Sequence, residues 1–244
     1  MFDFIWSYAE SHQAELKWIL EDLVRFGPVS MGIPGLVSTG MGLNPLFEVV
    51  PRIVKEGTVG KLPLLPYSSM LAGGILYFTY GWLLNNQNIL VVNTISIILG
   101  TLYVVIYSSY CPKGADWLPG RVYHHLVVLF LMCITAVGAA IFLSQSNALL
   151  LLGILANIMS VTTFGAPLAA IKTVVQEQST RSLPFGFTCA VCLNSIAWGT
   201  YGSLVLHDPL VVFPNVVGIF FGMIQLALFA RYGRDLAETD KKDL

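Results

Sequence analysis

Two asparagines, Asn93 and Asn215, stand 122 residues apart, each inside a long run without charged residues. A primary amide carries two N–H donors and a two-lone-pair acceptor, a set suited to adjacent hydroxyl groups, and left unpaired away from water it costs about 1–3 kcal/mol. One such Asn most often bonds helix to helix; two at matching positions point to a shared ligand. Asn194 and Trp198 lie four apart, on one face of a helix. Trp198 offers a flat apolar ring with a donor at its edge, apt for stacking on a C–H face bordered by hydroxyls. An interfacial belt tryptophan is the other reading. Cys189 and Cys192 form a CxxC in an apolar stretch without βαβ context, so they read as small packing residues. His124 and His125 lack Cys or acidic companions, and Gly218 and Gly222 form a GxxxG that suits helix packing. No metal, cofactor or catalytic set is expected, and the chain does not read as an enzyme.

The elements that must hold these residues follow from charge. Of 244 residues 55% are hydrophobic and 11% charged, against roughly 25% charged in an average soluble domain. Charge-free runs separate Arg25 from Glu48, Lys61 from Lys113, Arg121 from Lys172, Arg181 from Asp208 and Asp208 from Arg231, and span 22, 51, 50, 26 and 22 residues. A membrane-crossing helix takes about 20 residues, so each of the two longest runs is two spans. Their polar turns are Asn85 to Asn88 and Ser144 to Asn147. Seven spans result, at about 29–50, 64–84, 89–110, 123–143, 148–171, 184–206 and 210–230. Eleven of thirteen Lys and Arg follow spans one, three, five and seven. By the positive-inside rule the N-terminus is extracytoplasmic and the C-terminus cytoplasmic. Asp3, Glu10 and Glu15 argue against an ordinary signal peptide. Leu16, Ile19, Leu20, Leu23 and Val24 recur at helical spacing, as in an interfacial helix or one packed on the bundle's outer face.

The chain also repeats itself. Pro45-Leu46 matches Pro167-Leu168, Leu62-Pro63 matches Leu183-Pro184, Thr79-Tyr80-Gly81 matches Thr200-Tyr201-Gly202, and Asn93 matches Asn215, at offsets of 122, 121, 121 and 122. Each copy holds three spans. Three is odd, so span four is needed to bring the second copy back to the orientation of the first. The expected architecture is an all-α integral membrane protein of seven transmembrane helices, two parallel three-helix repeats joined by a linker helix. The divisions are an N-terminal segment over 1–27, the first repeat over 28–111, the linker over 112–147, the second repeat over 148–232 and a cytoplasmic tail over 233–244.

This arrangement, with Leu65-Pro66-Tyr67, Ala166-Pro167-Leu168, Trp198-Gly199-Thr200-Tyr201-Gly202, Asp208-Pro209 and Pro214-Asn215-Val216-Val217-Gly218, resembles the SWEET family of sugar transporters over about residues 40–232. Parallel repeats with substrate held between them are a transporter plan of which that family is itself an example. The resemblance implies that Asn93, Asn215, Trp198 and its counterpart Tyr77 contact sugar. It also implies that Asn194 and its counterpart Gly73 line the pocket, although Gly73-Gly74 also suits a close helix contact. Pro45 and Pro167 lie inside helices and free the carbonyls of Met41 and Thr163, four residues earlier. By resemblance these prolines, with Pro66 and Pro184, form a cytoplasmic gate, while Met41 and Thr163 influence sugar size. Pro63 is the exact-offset partner of Pro184, and Pro66 is chosen because Leu-Pro-Tyr is the family's form. Tyr80 and Asp208 match the extracellular gate; Asp208-Pro209 also reads as a simple turn.

No Asp, Glu, Lys or Arg lies deep in any span, so a proton relay is not expected. The function expected is uniport of a mono- or disaccharide down its gradient by alternating access. The expected partners are sugar, the lipid bilayer and, by resemblance, further copies of this chain, with no nucleic acid. The plasma membrane is the expected location, with vacuolar or other endomembranes as alternatives. A seven-helix receptor is the rival class, but the loops are short and span seven has no Lys for a retinal Schiff base. A PQ-loop-related carrier is the other, but the chain has no Pro-Gln pair.

Overall fold

The computed structural model describes residues 27–60, 62–112, 122–162, 165–180, 183 and 185–233. The expectations for the N-terminal segment through residue 26 and for the tail from residue 234 lie outside them. The described residues form α1 (Gly27–Glu56), α2 (Leu65–Leu83), α3 (Gln87–Tyr110), α4 (Val122–Phe142), α5 (Gln145–Thr162), α6 (Gly165–Glu177), α7 (Phe185–Tyr201) continued by a π-helical turn (Gly202–Leu206), and α8 (Pro209–Tyr232). Five segments, Gln87–Tyr110, Val122–Phe142, Gln145–Thr162, Phe185–Leu206 and Pro209–Tyr232, are long and apolar enough to cross a bilayer. In α1 and α2, Gly, Ser and Pro dilute the hydropathy, yet both run in the same bundle.

Two boundaries differ from the sequence expectation. The first helix continues past residue 50 to Glu56, because Arg52, Lys55 and Glu56 add a solvated turn beyond the apolar run. Of the fifth span the structure describes Gln145–Thr162 and Gly165–Glu177, with Pro167 inside the second segment. The sixth leaves α geometry at Tyr201, and its π-turn carries the chain to Asp208.

Side chains sort as they do in lipid. On α4, Ala136 and Ala139 are buried while Phe130, Ile134, Val137 and Ile141 are exposed, so small residues face the bundle and large apolar ones face outward. That inversion is stable only where the surroundings are hydrocarbon.

The two repeats adopt one plan. α3 lies between α1 and α2, and α8 packs against α5, α6 and α7; the two units meet through α1 on α7 and α5 on α2, with α4 packed on α2 and α5. Left-handed residues recur in register. Asn85 (φ 53°) is matched by His207 (φ 51°), 122 residues on, and Gly57 (φ 66°) by Gln178 (φ 52°), 121 residues on. Each pair turns the chain at the same place in its repeat.

Where the repeats differ, the differences are coupled. Pro214 inside α8 cannot bond the carbonyl of Leu210. Asn157 of α5 supplies the missing donor, its Nδ2 bonding Leu210 O at 2.9 Å. The counterparts in the first repeat are Val92 and Gly35. No carbonyl is orphaned there, and a Cβ at Gly35 would lie 3.2 Å from the Val92 side chain. Asn157→Leu is therefore expected to lower stability by about 1–3 kcal/mol, because a buried acceptor loses its donor. Thermal unfolding in detergent reads this directly, and an unchanged midpoint would contradict it.

Candidate functional site

A cavity of about 670 Å³ opens between the two three-helix units. Met41, Pro45, Pro66, Gly73, Tyr77, Asn93, Asn194, Trp198 and Asn215 all line it. Thr163 and Pro184 lie outside the described residues. Pro167 is inside α6, and its side chain is not described.

The two asparagines are used alike. Asn93 Nδ2 donates to Ile89 O at 2.8 Å and Asn215 Nδ2 to Val211 O at 2.7 Å, each one helical turn back. Bonding within its own helix fixes each side chain and leaves the carbonyl oxygen and second N–H for the cavity.

Sequence reasoning missed the residue at the centre of one wall. Ser38 of α1 donates from Oγ to Asn194 Oδ1 at 2.6 Å and accepts from Trp198 Nε1 at 2.8 Å. The Trp198 N–H is thus committed to protein, and what remains for a ligand is its ring face. A signal existed, since Ser38 and Ser160 are 122 apart, the offset of the asparagines, and both line the cavity. On the facing wall Tyr77 donates its hydroxyl to Asn157 Oδ1 at 3.4 Å, with Ser160 also in hydrogen-bonding reach. Asn157, overlooked in sequence, thereby joins α2, α5 and α8. The adjacent glycines part ways. A Cβ at Gly73 would meet nothing closer than Met159 at 3.7 Å, whereas one at Gly74 would press on Ser96 and Ile97 of α3 at 3.3 Å. Only Gly74 is the close helix contact; Gly73 leaves room on the cavity side.

One end of the cavity is bolted twice. Tyr80, 2% exposed, donates its hydroxyl to Asp208 Oδ2. Its counterpart Tyr201 accepts from Asn86 Nδ2 at 2.9 Å and Asn88 Nδ2 at 3.1 Å. Asp208 and Asn86 are themselves 122 apart, and each caps the next helix, at Leu210 N (2.9 Å) and Ile89 N (3.1 Å). Tyr77 meets Tyr80 edge-to-face at 6.1 Å and 84°, and Trp198 meets Tyr201 at 5.7 Å and 84°. The bolts thus stand one residue layer from the ring walls. Toward the other end, where Arg52, Lys55 and Arg231 lie, the lining is Pro45, Pro66, Tyr67, Leu183, Phe187, Thr188 and Gln225. Pro45 lies inside α1 there, and Tyr103 Oη donates to the Gly42 carbonyl at 2.6 Å.

The family model described as sugar efflux transporter for intercellular exchange matches residues 32–115 and again 150–236. A bidirectional sugar transporter, SWEET13 of Oryza sativa subsp. japonica, is 28% identical, with 81% of this chain and 68% of the relative covered. The sugar transporter SWEET1 of Rattus norvegicus is 28% identical over 81% of this chain and 85% of its own. SWEET16 of Arabidopsis thaliana, a bidirectional sugar transporter, is 29% identical over 82% and 86%. A solved eukaryotic SWEET transporter superposes with a TM-score of 0.73 at 24% identity, covering 85% of this chain and 98% of that one, and so shares the fold. With one family model matching both repeats, this chain is a member of the SWEET family.

Proposed function

We propose that the protein is a sugar uniporter, carrying a mono- or disaccharide down its gradient by alternating access, with the two three-helix units rocking about the cavity. The observation that carries the reading is the cavity itself. Its volume falls within the roughly 300–1,000 Å³ of small-ligand sites, and it presents Asn93 and Asn215 from opposite units together with two aromatic rings. Amides meet hydroxyls and rings meet C–H faces, the two surfaces of a sugar. Among the described residues its lining has no carboxylate, amine or imidazole, which supports a cycle without proton coupling. In this reading the basic end faces the cytoplasm by the positive-inside rule, and the end held by the tyrosine hydrogen bonds lies outside; the plasma membrane is the proposed location. In liposomes holding the purified protein, labelled sugar should equilibrate at the same final level under any imposed pH gradient. Accumulation driven by protons would overturn uniport.

Tyr80 and Asp208, with Tyr201, Asn86 and Asn88, act in this reading as the extracellular gate. A hydrogen bond to a charged group contributes about 1.5–3 kcal/mol, so Tyr80→Phe should shift the population toward outward-open by about tenfold or more. Spin labels at Leu84 and Leu206 read the change as a longer distance component. Adding Tyr201→Phe should enlarge it, and an unaltered distance distribution in the double variant would refute the gate.

A further inference from the structure

The cytoplasmic half of the cavity holds a polar pair that the midplane site does not use. Thr188 of α7 and Gln225 of α8 are 1% and 7% exposed, and both line the cavity. Thr188 Oγ1 donates to Gln225 Oε1 at 2.9 Å. Among the described residues the Gln225 Nε2 has no protein acceptor, and no fully buried side-chain polar atom is left without a partner, so this N–H₂ is not sealed in protein, and the cavity that Gln225 lines is the space open to it. Gln225 lies ten residues beyond Asn215 on the same helix, about 15 Å along its axis. Thr188 lies ten residues before Trp198, also about 15 Å away on α7. That separation exceeds a single sugar ring, so the pair does not belong to the midplane site.

The repeat comparison says what is unusual here. The first-repeat counterparts of Thr188 and Gln225 are Tyr67 and Tyr103, 121 and 122 residues earlier. Those rings pack together at 5.4 Å, and the Tyr103 hydroxyl is spent on the Gly42 carbonyl, three residues before Pro45. One repeat uses these positions to close on itself, while the other leaves an amide facing the cavity. Tyr67 lines the same cavity. A ring on one unit and an amide with an available donor on the other repeat the chemistry of the midplane, where Tyr77 and Trp198 accompany the asparagines.

We propose that Tyr67, Thr188 and Gln225 form a second sugar station at the cytoplasmic mouth, where a ring rests between the midplane site and the cytoplasm. The proposal rests on the sugar-transport reading. Its test is saturation-transfer NMR with glucose and sucrose on the purified chain in lipid nanodiscs, run beside liposome flux. Asn215→Ala should lower flux by about 10- to 100-fold yet keep a reduced transfer signal from the mouth. Adding Gln225→Leu or Thr188→Val should weaken that residual binding by about three- to tenfold, the effect of losing one amide or hydroxyl contact. Thr188→Ser, which keeps the hydroxyl, should retain it, separating lost chemistry from disturbed packing. The second station is overturned if Asn215→Ala alone removes all transfer, or if Gln225→Leu leaves the residual signal unchanged. Wild-type protein that shows neither flux nor transfer with any sugar would instead sink the transport reading.

Discussion

Asn215→Ala is expected to bring sugar flux in liposomes down by about 10- to 100-fold, while leaving the fold intact. The side chain sends one N–H to Val211 O and turns its carbonyl oxygen and other N–H to the cavity. A sugar hydroxyl enclosed there without its partner loses about 1–3 kcal/mol, which sets the size of the effect. The α-helix survives because the Val211 carbonyl loses only its side-chain donor. Asn93→Ala should act in the same direction through the equivalent bond to Ile89 O. The double variant should fall short of the product of the two losses, because in the proposed site both amides hold one ligand. Flux within threefold of wild type in Asn215→Ala would remove this residue from the pocket.

The largest effect on assembly belongs to a glycine outside the site. A Cβ at Gly100 of α3 would sit 2.9 Å from Leu71 Cβ, 3.0 Å from its Cα and 3.1 Å from its N. Backbone cannot rotate away, so Gly100→Ala must prise α3 from α2, the helix that carries Gly73 and Tyr77. The cost should approach the upper end of overpacking, about 3 kcal/mol, or about 10 °C in the unfolding midpoint for a chain of this size. Gly222 is the same position in the second repeat, but the atom in its way is Cys192 Sγ, a side-chain atom that can turn. Gly222→Ala should therefore be milder. Gly138, with nothing within 4 Å, should accept Ala with no loss or a slight gain. Melting curves that fail to rank Gly100 below Gly222 below Gly138 would contradict the packing described for α2 and α3.

The contrast between Gly100 and Gly222 shows how far two copies of one plan drift in detail. The Pro214 and Asn157 pair beside Val92 and Gly35 does the same, as does Thr188 with Gln225 beside Tyr67 with Tyr103. In the last two cases the second repeat carries polar side chains where the first packs a glycine on valine or ring on ring.

By itself the sequence determined the membrane class, the helices and the duplication. Charge is so costly in hydrocarbon that its absence marks spans, and a repeat preserves spacing even where residue types change. It also determined Asn93 and Asn215, because an amide in an apolar run stands out and a second at the repeat offset stands out more. Only the tertiary structure decided which side of each helix faces the cavity. Spans that meet lipid on one face and protein on the other are apolar all round, so no periodicity separates the two faces. Hence Ser38, which commits the Trp198 N–H, and Asn157, which answers Pro214, were invisible as partners until α1 met α7 and α5 met α8. For the same reason sequence alone could not divide Gly73, on the cavity, from Gly74, against α3.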